Sequence, residues 1–245
     1  MSDDFTTARY SEILEVAKTK FRFATFADRH GEGPVALWRH DIDFSPQRAL
    51  ALARIEADAG VIATYFVQLS SRFYNVFEPE ITAIVRQIGA LGHAIGLHFE
   101  TEAVGHSQDV DHERRLAFEA SVLERLAGKK VSAFSLHNPT TMSGVSLDEP
   151  EYCGLFNASH PVLRDEFAYC SDSNGIWRFR PLDAMVQDVQ VAKLYALTHP
   201  EWWQATAMAP RDRIQRCIDG RALYGARYYD RLLSANDRPN VGSGK

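Results

Sequence analysis

The sequence predicts an α/β fold on a parallel sheet, either an open doubly wound sheet or a closed (β/α) barrel. Three observations predict it. Short β-branched and aromatic runs alternate with helix-periodic ones through the middle of the chain, the pattern of parallel βαβ units. The helical runs carry their own start and stop residues. Short polar segments follow the strand-like runs, and in a barrel all of these would gather on the C-terminal face. No GxGxxG follows the first strand and no GxxxxGK[ST] occurs anywhere. Nucleotide-binding versions of the open sheet therefore lose support.

Taken in order, residues 1–34 read as an N-terminal helix and lead-in, and Val35 to Trp38 is a short apolar run. Ser45 followed by Pro46 is a helix start, a hydroxyl cap with proline at the first helical position, and Gly60 is its stop. Val61 to Val67 reads as a strand. Pro79 opens a second helix that ends by Gly92, and Ala94 to Phe99 is the next strand. Asp111 to Ala127 is a periodic helix stopped by Gly128. Val131 to His137, Phe167 to Ser171 and Val191 to Thr198 complete the strands. A last helix runs from near Pro210 to about Leu233. The expected organisation is one barrel domain over 35–233, with 234–245 as a loose tail rich in Asn, Pro, Gly and Ser.

Composition narrows the function. The formal charge of −5 argues against nonspecific nucleic-acid binding. No stretch reaches the ~18 apolar residues of a membrane span. The polar start, MSDDFTTARYSEIL, shows no secretory signal, so a cytoplasmic location is expected. Cys153, Cys170 and Cys217 are odd in number and widely spaced, which suits a reducing compartment. They are read as small buried apolar side chains.

Five polar clusters follow strands. In the first, alternation puts Arg39, Asp41 and Asp43 on one side of the chain, with His40 and Ile42 on the other. Two close carboxylates repel unless a cation or an arginine intervenes. One can then ligate a metal while the other serves as a base. Alternatively Asp43 caps the helix at Ser45 and Asp41 pairs with Arg39. In the second cluster His98 ends a strand, with Glu100 and Glu102 at alternating positions beyond it, and these donors suit zinc or a similar ion. His93 begins that strand, at the stability end, and reads as structural. His137, with Asn138 and Pro139, could be a ligand or bind substrate. Asp172 lies in SDSNG, equally a turn sequence, with Trp177 and Arg178 after it. His199 precedes Pro200, Glu201, Trp202 and Trp203. It suits a general acid in an aromatic-lined pocket, or else belongs to a packing cluster. His30, His106, His112 and His160 read as surface residues.

With these residues in view, RHDIDFSPQRALALARIEADAGVIATYFV, GHAIGLHFE, SDSNGIWR and LTHPEWW together resemble the polysaccharide-deacetylase (NodB-homology, carbohydrate esterase) family. More narrowly they resemble a branch found in bacterial surface-polysaccharide and O-antigen loci. The resemblance runs from about Val35 to Trp203 and implies a distorted (β/α) barrel with fewer than eight strands. It implies removal of N- or O-acyl groups from sugars with a divalent metal held by one Asp and two His. By position Asp41 resembles the family's base, Asp43 its metal-binding Asp, His98 the first metal His and His199 the late His that protonates the leaving amine. Three departures stand out. Ile42 separates two aspartates that the family has adjacent, Glu102 occupies the second histidine's place, and His137-Asn138-Pro139 replaces an Arg-Pro motif. The third ligand is then expected to be His137, with Glu102 and Glu100 as alternatives.

The resulting expectation is a zinc-type deacylase of an N-acylated sugar precursor, free, nucleotide-linked or lipid-linked. Asp41 and His199 are catalytic, and Arg39, Asn138, Asp172, Arg178 and Trp202 bind substrate or orient the catalytic groups. Two other readings stay open. One is a metal-free sugar-binding or scaffold protein with a decayed site, and the other is an isomerase or lyase on the same barrel.

Overall fold

A computed structural model describes residues 5–101, 111–138, 147–178 and 180–242. In chain order the elements are α1 (Thr7–Lys20), β1 (Arg22–Ala24), β2 (Val35–Ile42), α2 (Pro46–Asp58), β3 (Thr64–Val67), α3 (Pro79–Ala90), β4 (Ala94–Phe99), α4 (His112–Ala127) and β5 (Ala133–Leu136). There follow β6 (Glu151–Tyr152), β7 (Leu155–Asn157), α5 (Val162–Glu166), β8 (Ala168–Ser171), α6 (Leu182–Gln187), β9 (Lys193–Thr198) and α7 (Pro210–Ala235).

The sheet order is β6-β7-β5-β4-β3-β2-β9-β8, with β1 added beside β2. Every pairing is parallel except β6 with β7. Among the described residues the sheet does not close by strand pairing, but it curls. The carbonyl of Ala158, just after β7, accepts hydrogen bonds from Arg39 Nη1 at 3.2 Å and from Tyr195 Oη at 2.6 Å, across the interior from β2 and β9. The architecture is a distorted, incomplete (β/α) barrel, and helices cover its outside.

Alternation along each strand divides the core in two. Val35 and Leu37 of β2 point inward with Phe66, Ala133, Phe156 and Tyr195, filling the barrel. Ala36, Trp38 and Ile42 point outward into the larger helix-facing cluster. Gly96 on β4 admits this inner packing, because a Cβ there would fall 2.5 Å from the Phe66 ring. Helix ends follow the local chemistry. Ser45 Oγ accepts from Arg48 N at 3.3 Å and Asp111 Oδ1 from Arg114 N at 2.9 Å, caps worth ~1 kcal/mol each. Gly128 stops α4 with φ 65°, the left-handed conformation glycine adopts without steric cost.

Several boundaries differ from expectation. β1, within the lead-in, joins the sheet, and it and the short β6, β7, α5 and α6 lie outside the elements read from the sequence. The run from Val61 becomes strand only at Thr64, and α7 extends to Ala235 rather than Leu233. Of the cysteines only Cys170 is buried. Cys217 is half-buried, and Cys153 is exposed at a left-handed turn position. His112 is half-buried, its ring edge-on to Phe99. Among the described residues no helix is long and apolar enough to cross a membrane.

Candidate active site

The inward-facing positions of the strands continue past the strand ends into one cleft of about 520 Å³. Arg39, Asp41 and Asp43 reach it from β2, His98 from β4, His137 and Asn138 from beyond β5, and His199 from beyond β9. His40 and Ile42, of opposite parity, do not line it. His93 is buried away from it, with Nε2 2.8 Å from the Ala53 carbonyl.

Asp43, His98 and His137 form the tightest group, their ligand atoms all within 4.8 Å of one another. Asp43 Oδ1 lies 3.1 Å from His98 Nε2 but is a buried oxygen without a hydrogen bond. Burial alone would push this carboxyl up. The His98, His199 and His137 imidazoles hold it well below the usual carboxylate range. His98 Nδ1 is 2.7 Å from Ser135 Oγ, and His137 Nδ1 is 2.6 Å from Glu100 Oε2. Each contact fixes one ring nitrogen and leaves Nε2 for the cleft, the outer support that metal-ligating imidazoles use. Asn138 Nδ2 is 3.2 Å from His137 Nε2, and Gln68 Nε2 donates to the same Glu100 oxygen at 3.2 Å. An orphaned carboxylate oxygen facing two oriented imidazoles is a donor set that fits zinc or a similar divalent cation. Glu100 takes the outer place behind His137. Glu102 and His106 fall outside the described residues, as does Pro139.

Two ion pairs flank this group. Arg39 grips Asp41 bidentately, Nε to Oδ1 at 2.7 Å and Nη2 to Oδ2 at 2.6 Å, with both side chains buried. Burial raises the Asp41 carboxyl, but the Arg39 charge and hydrogen bonds, with the His98 and His199 imidazoles, together hold the group below its ordinary value. Arg39 Nη1 also donates to Tyr195 Oη at 2.6 Å, so the clamp itself is held. On the other side His199 Nδ1 sits 2.7 Å from Asp172 Oδ1, and its backbone N–H donates to Asp172 Oδ2 at 3.1 Å. Burial opposes the imidazolium, yet the Asp172 hydrogen bond and charge raise the His199 pKa to about 10. His199 Nε2 is 3.9 Å from Asp43 Oδ2.

The tryptophans stand elsewhere. Trp202 and Trp203 are buried in the helix-facing core, with Trp203 against Tyr10 and Phe5 at 4.7 and 5.0 Å, and neither lines the cleft. Trp202 is therefore corrected from a substrate-binding to a packing residue. The aromatic walls come from Tyr169 and Tyr195, ring centroids 5.3 Å apart. Neither tyrosine was singled out in the sequence, nor were Ser135 and Arg164. Their signal was parity, since Ser135 stands two residues before His137 and Tyr195 four before His199. Glu201 was missed as a site neighbour. It is fully buried with neither oxygen hydrogen-bonded, and burial, reinforced by Asp43, pushes its carboxyl well above the usual range.

No family model matches the sequence, and no curated protein matches it. Among solved structures the chain is similar to a CE4-family pseudoenzyme from Bacillus anthracis (TM-score 0.43, 14% identity, 80% of this chain and 63% of that one). It is also similar to a family 4 acetyl xylan esterase from Clostridium thermocellum solved with cobalt (0.40, 16%, 83% and 92%). A chitin deacetylase from Colletotrichum lindemuthianum is a third (0.41, 14%, 76% and 81%). The chain spans less than two thirds of the pseudoenzyme's length. The chemistry of this site therefore rests on its own side chains.

Proposed function

We propose that the protein is a metal-dependent deacylase that removes an N-acyl group from a sugar precursor of bacterial surface polysaccharide. The observation that carries this is the buried, hydrogen-bond-free Asp43 oxygen beside His98 and His137, set between an Arg39–Asp41 pair and an Asp172–His199 pair. Asp43, His98 and His137 would hold a divalent cation, which supplies Lewis acidity to an amide carbonyl and to water. Asp41 accepts the proton of the attacking water, and Arg39 fixes the direction of its lone pairs. His199, protonated at neutral pH beside Asp172, donates from Nε2 to the departing nitrogen. Water adds to the carbonyl carbon, the C–N bond breaks, and amine and carboxylic acid leave.

One observation favours a second reading. Both Asp41 oxygens are occupied by Arg39, which weakens the carboxylate as a base. A sugar-binding protein with a silenced site would show this clamp too. The two readings separate on turnover. Zinc-loaded protein is expected to release acetate from N-acetylated sugars, and Asp41→Asn is expected to lower the rate by ~10²–10⁴ while keeping the metal. Metal binding without acetate release would establish the silenced site. Absence of zinc from protein purified without chelator and then zinc-loaded would remove the metal centre altogether.

A further inference from the structure

The cleft carries cations that the reaction above does not use. Arg164 and Arg178 line the same cavity as the Asp43 group. Both are exposed. Neither guanidinium makes an ion pair or hydrogen bond among the described residues. The acidic residues lining the cavity among those described are Asp41 and Asp43. Asp41 is neutralised by Arg39, and Asp43 lies among three imidazoles. The rim is thus cationic in a chain whose formal charge is −5.

Arg164 is also anchored at its guanidinium, and Arg178 at its backbone. Arg164 Cζ lies 4.9 Å from the Tyr169 ring centroid, and Tyr169 packs on Tyr195, whose hydroxyl accepts from Arg39. Arg178 follows the Asp172–Gly175 turn, and its backbone N–H donates to the Ser171 carbonyl at 3.1 Å. A held guanidinium loses less freedom on binding and presents a planar fork that matches a carboxylate or a phosphate. Exposed arginines ordinarily pair with nearby acids or stay in bulk water. Two unpaired ones at the mouth of a reaction cleft raise the local concentration of anions.

We propose that Arg164 and Arg178 form an anion subsite at the mouth of the cleft, which selects an acylated sugar bearing a phosphate or carboxylate group. The proposal rests on the deacylase reading for its substrate, but not for its binding. Steady-state acetate release is compared for N-acetylglucosamine, its 1-phosphate and its uronic acid, using zinc-loaded wild type, Arg164→Gln, Arg178→Gln and the double variant. The 1-phosphate and uronic-acid arms tell the two anion sources apart. The ratio of kcat/KM for the better anionic sugar over the neutral one is expected to fall about tenfold per arginine, carried by KM, and to shrink with added salt. Equal ratios in wild type and double variant would overturn the subsite. Calorimetric titration with N-acetylglucosamine 1-phosphate covers the case in which no sugar is hydrolysed. Weaker binding by the double variant then keeps the subsite while the deacylase reading falls, and equal binding removes the subsite too. Circular dichroism and Tm of each variant confirm that the Tyr169 stack survives.

Discussion

Strand β2 carries two buried polar clusters back to back, and they are built on opposite plans. On its helix-facing side His40 Nε2 meets Glu56 Oε1 at 2.6 Å. Tyr65 Oη donates to Glu56 Oε2 at 2.6 Å, and Tyr10 Oη donates to Oε1. Thr198 Oγ1 closes the network on His40 Nδ1 at 2.7 Å, and Trp38 Nε1 donates to Tyr10 at 2.7 Å. Glu56 and His40 are 0% exposed, yet every polar atom named here has its partner. On the inward side, three residues along, Asp43 leaves an oxygen unpaired and three imidazoles converge on open space. A satisfied network specifies one packing, whereas an unsatisfied one waits for a ligand. Sequence parity alone puts His40 in one and Asp41 in the other.

The largest expected effect falls on the closed cluster. Glu56→Ala strands His40 and two tyrosine hydroxyls in the core and should cost ~3–5 kcal/mol in denaturant unfolding. A cost below about 1 kcal/mol would mean the network is not the anchor described. Next comes the open cluster's acid. His199→Ala should slow amide hydrolysis strongly and activated-ester hydrolysis much less, because only an amine leaving group needs the proton. Equal losses on both substrates would leave His199 a positioning residue.

The third test separates the clusters by pH. Burial raises the Glu56 carboxyl, but His40, His93 and the Tyr10 hydroxyl together more than offset it, so the folded value lies below the ordinary 4.5. Its stabilisation is complete above 4.5 and is lost as pH falls through the folded value. Burial holds His93 below its ordinary 6.5, so the unfolded chain binds the extra proton and the His93 contribution already begins to fall below pH 6.5. Between 6.5 and 4.5 the raised Glu201 carboxyl opposes His93, because its folded form takes up the proton first, so the decline in urea midpoint is expected below 4.5, and Glu56→Gln should flatten that limb. A parallel decline in wild type and variant would exclude Glu56 as its source. The smallest effect falls on Asp43. The surrounding imidazoles hold its folded pKa below the ordinary value, so Asp43→Ala without metal should lower stability at neutral pH, by less than Glu56→Ala does, and with zinc it should abolish the metal-induced rise in Tm. A loss without metal as large as that of Glu56→Ala would show that Asp43 is a structural group.

What could be read in the sequence follows from range. The unit from β2 through α2 was legible because Ser45, Pro46 and the alternation of Arg39, Asp41 and Asp43 act within a few residues of one another. His98 and His137 were legible as strand-end residues for the same reason. The His137–Glu100 and His98–Ser135 contacts each join residues 37 apart, and no local periodicity reports them. Glu56 left a trace, since it falls on the buried stripe of α2 with Ala49, Leu52 and Ala53, where an acid needs a partner. The two tryptophans after His199 misled because a short 3-10 turn, Pro200–Trp202, rotates them out of the strand's alternation into the helix layer.

The pairing of β2 with β9 bears on how the chain assembles. Val35 to His40 bond to Lys193 through Thr198, so one flank of the central strand waits for a segment made only after all the elements between them. Until then β2, β3 and β4 can dock in sequence with their helices, but the β9 side of β2 stays bare, an edge that other nascent chains could join. His199 arrives with that last strand. The residue proposed to donate the proton is thus also a reporter of completed folding, and fragments lacking β9 should collect as aggregates rather than as inactive barrels.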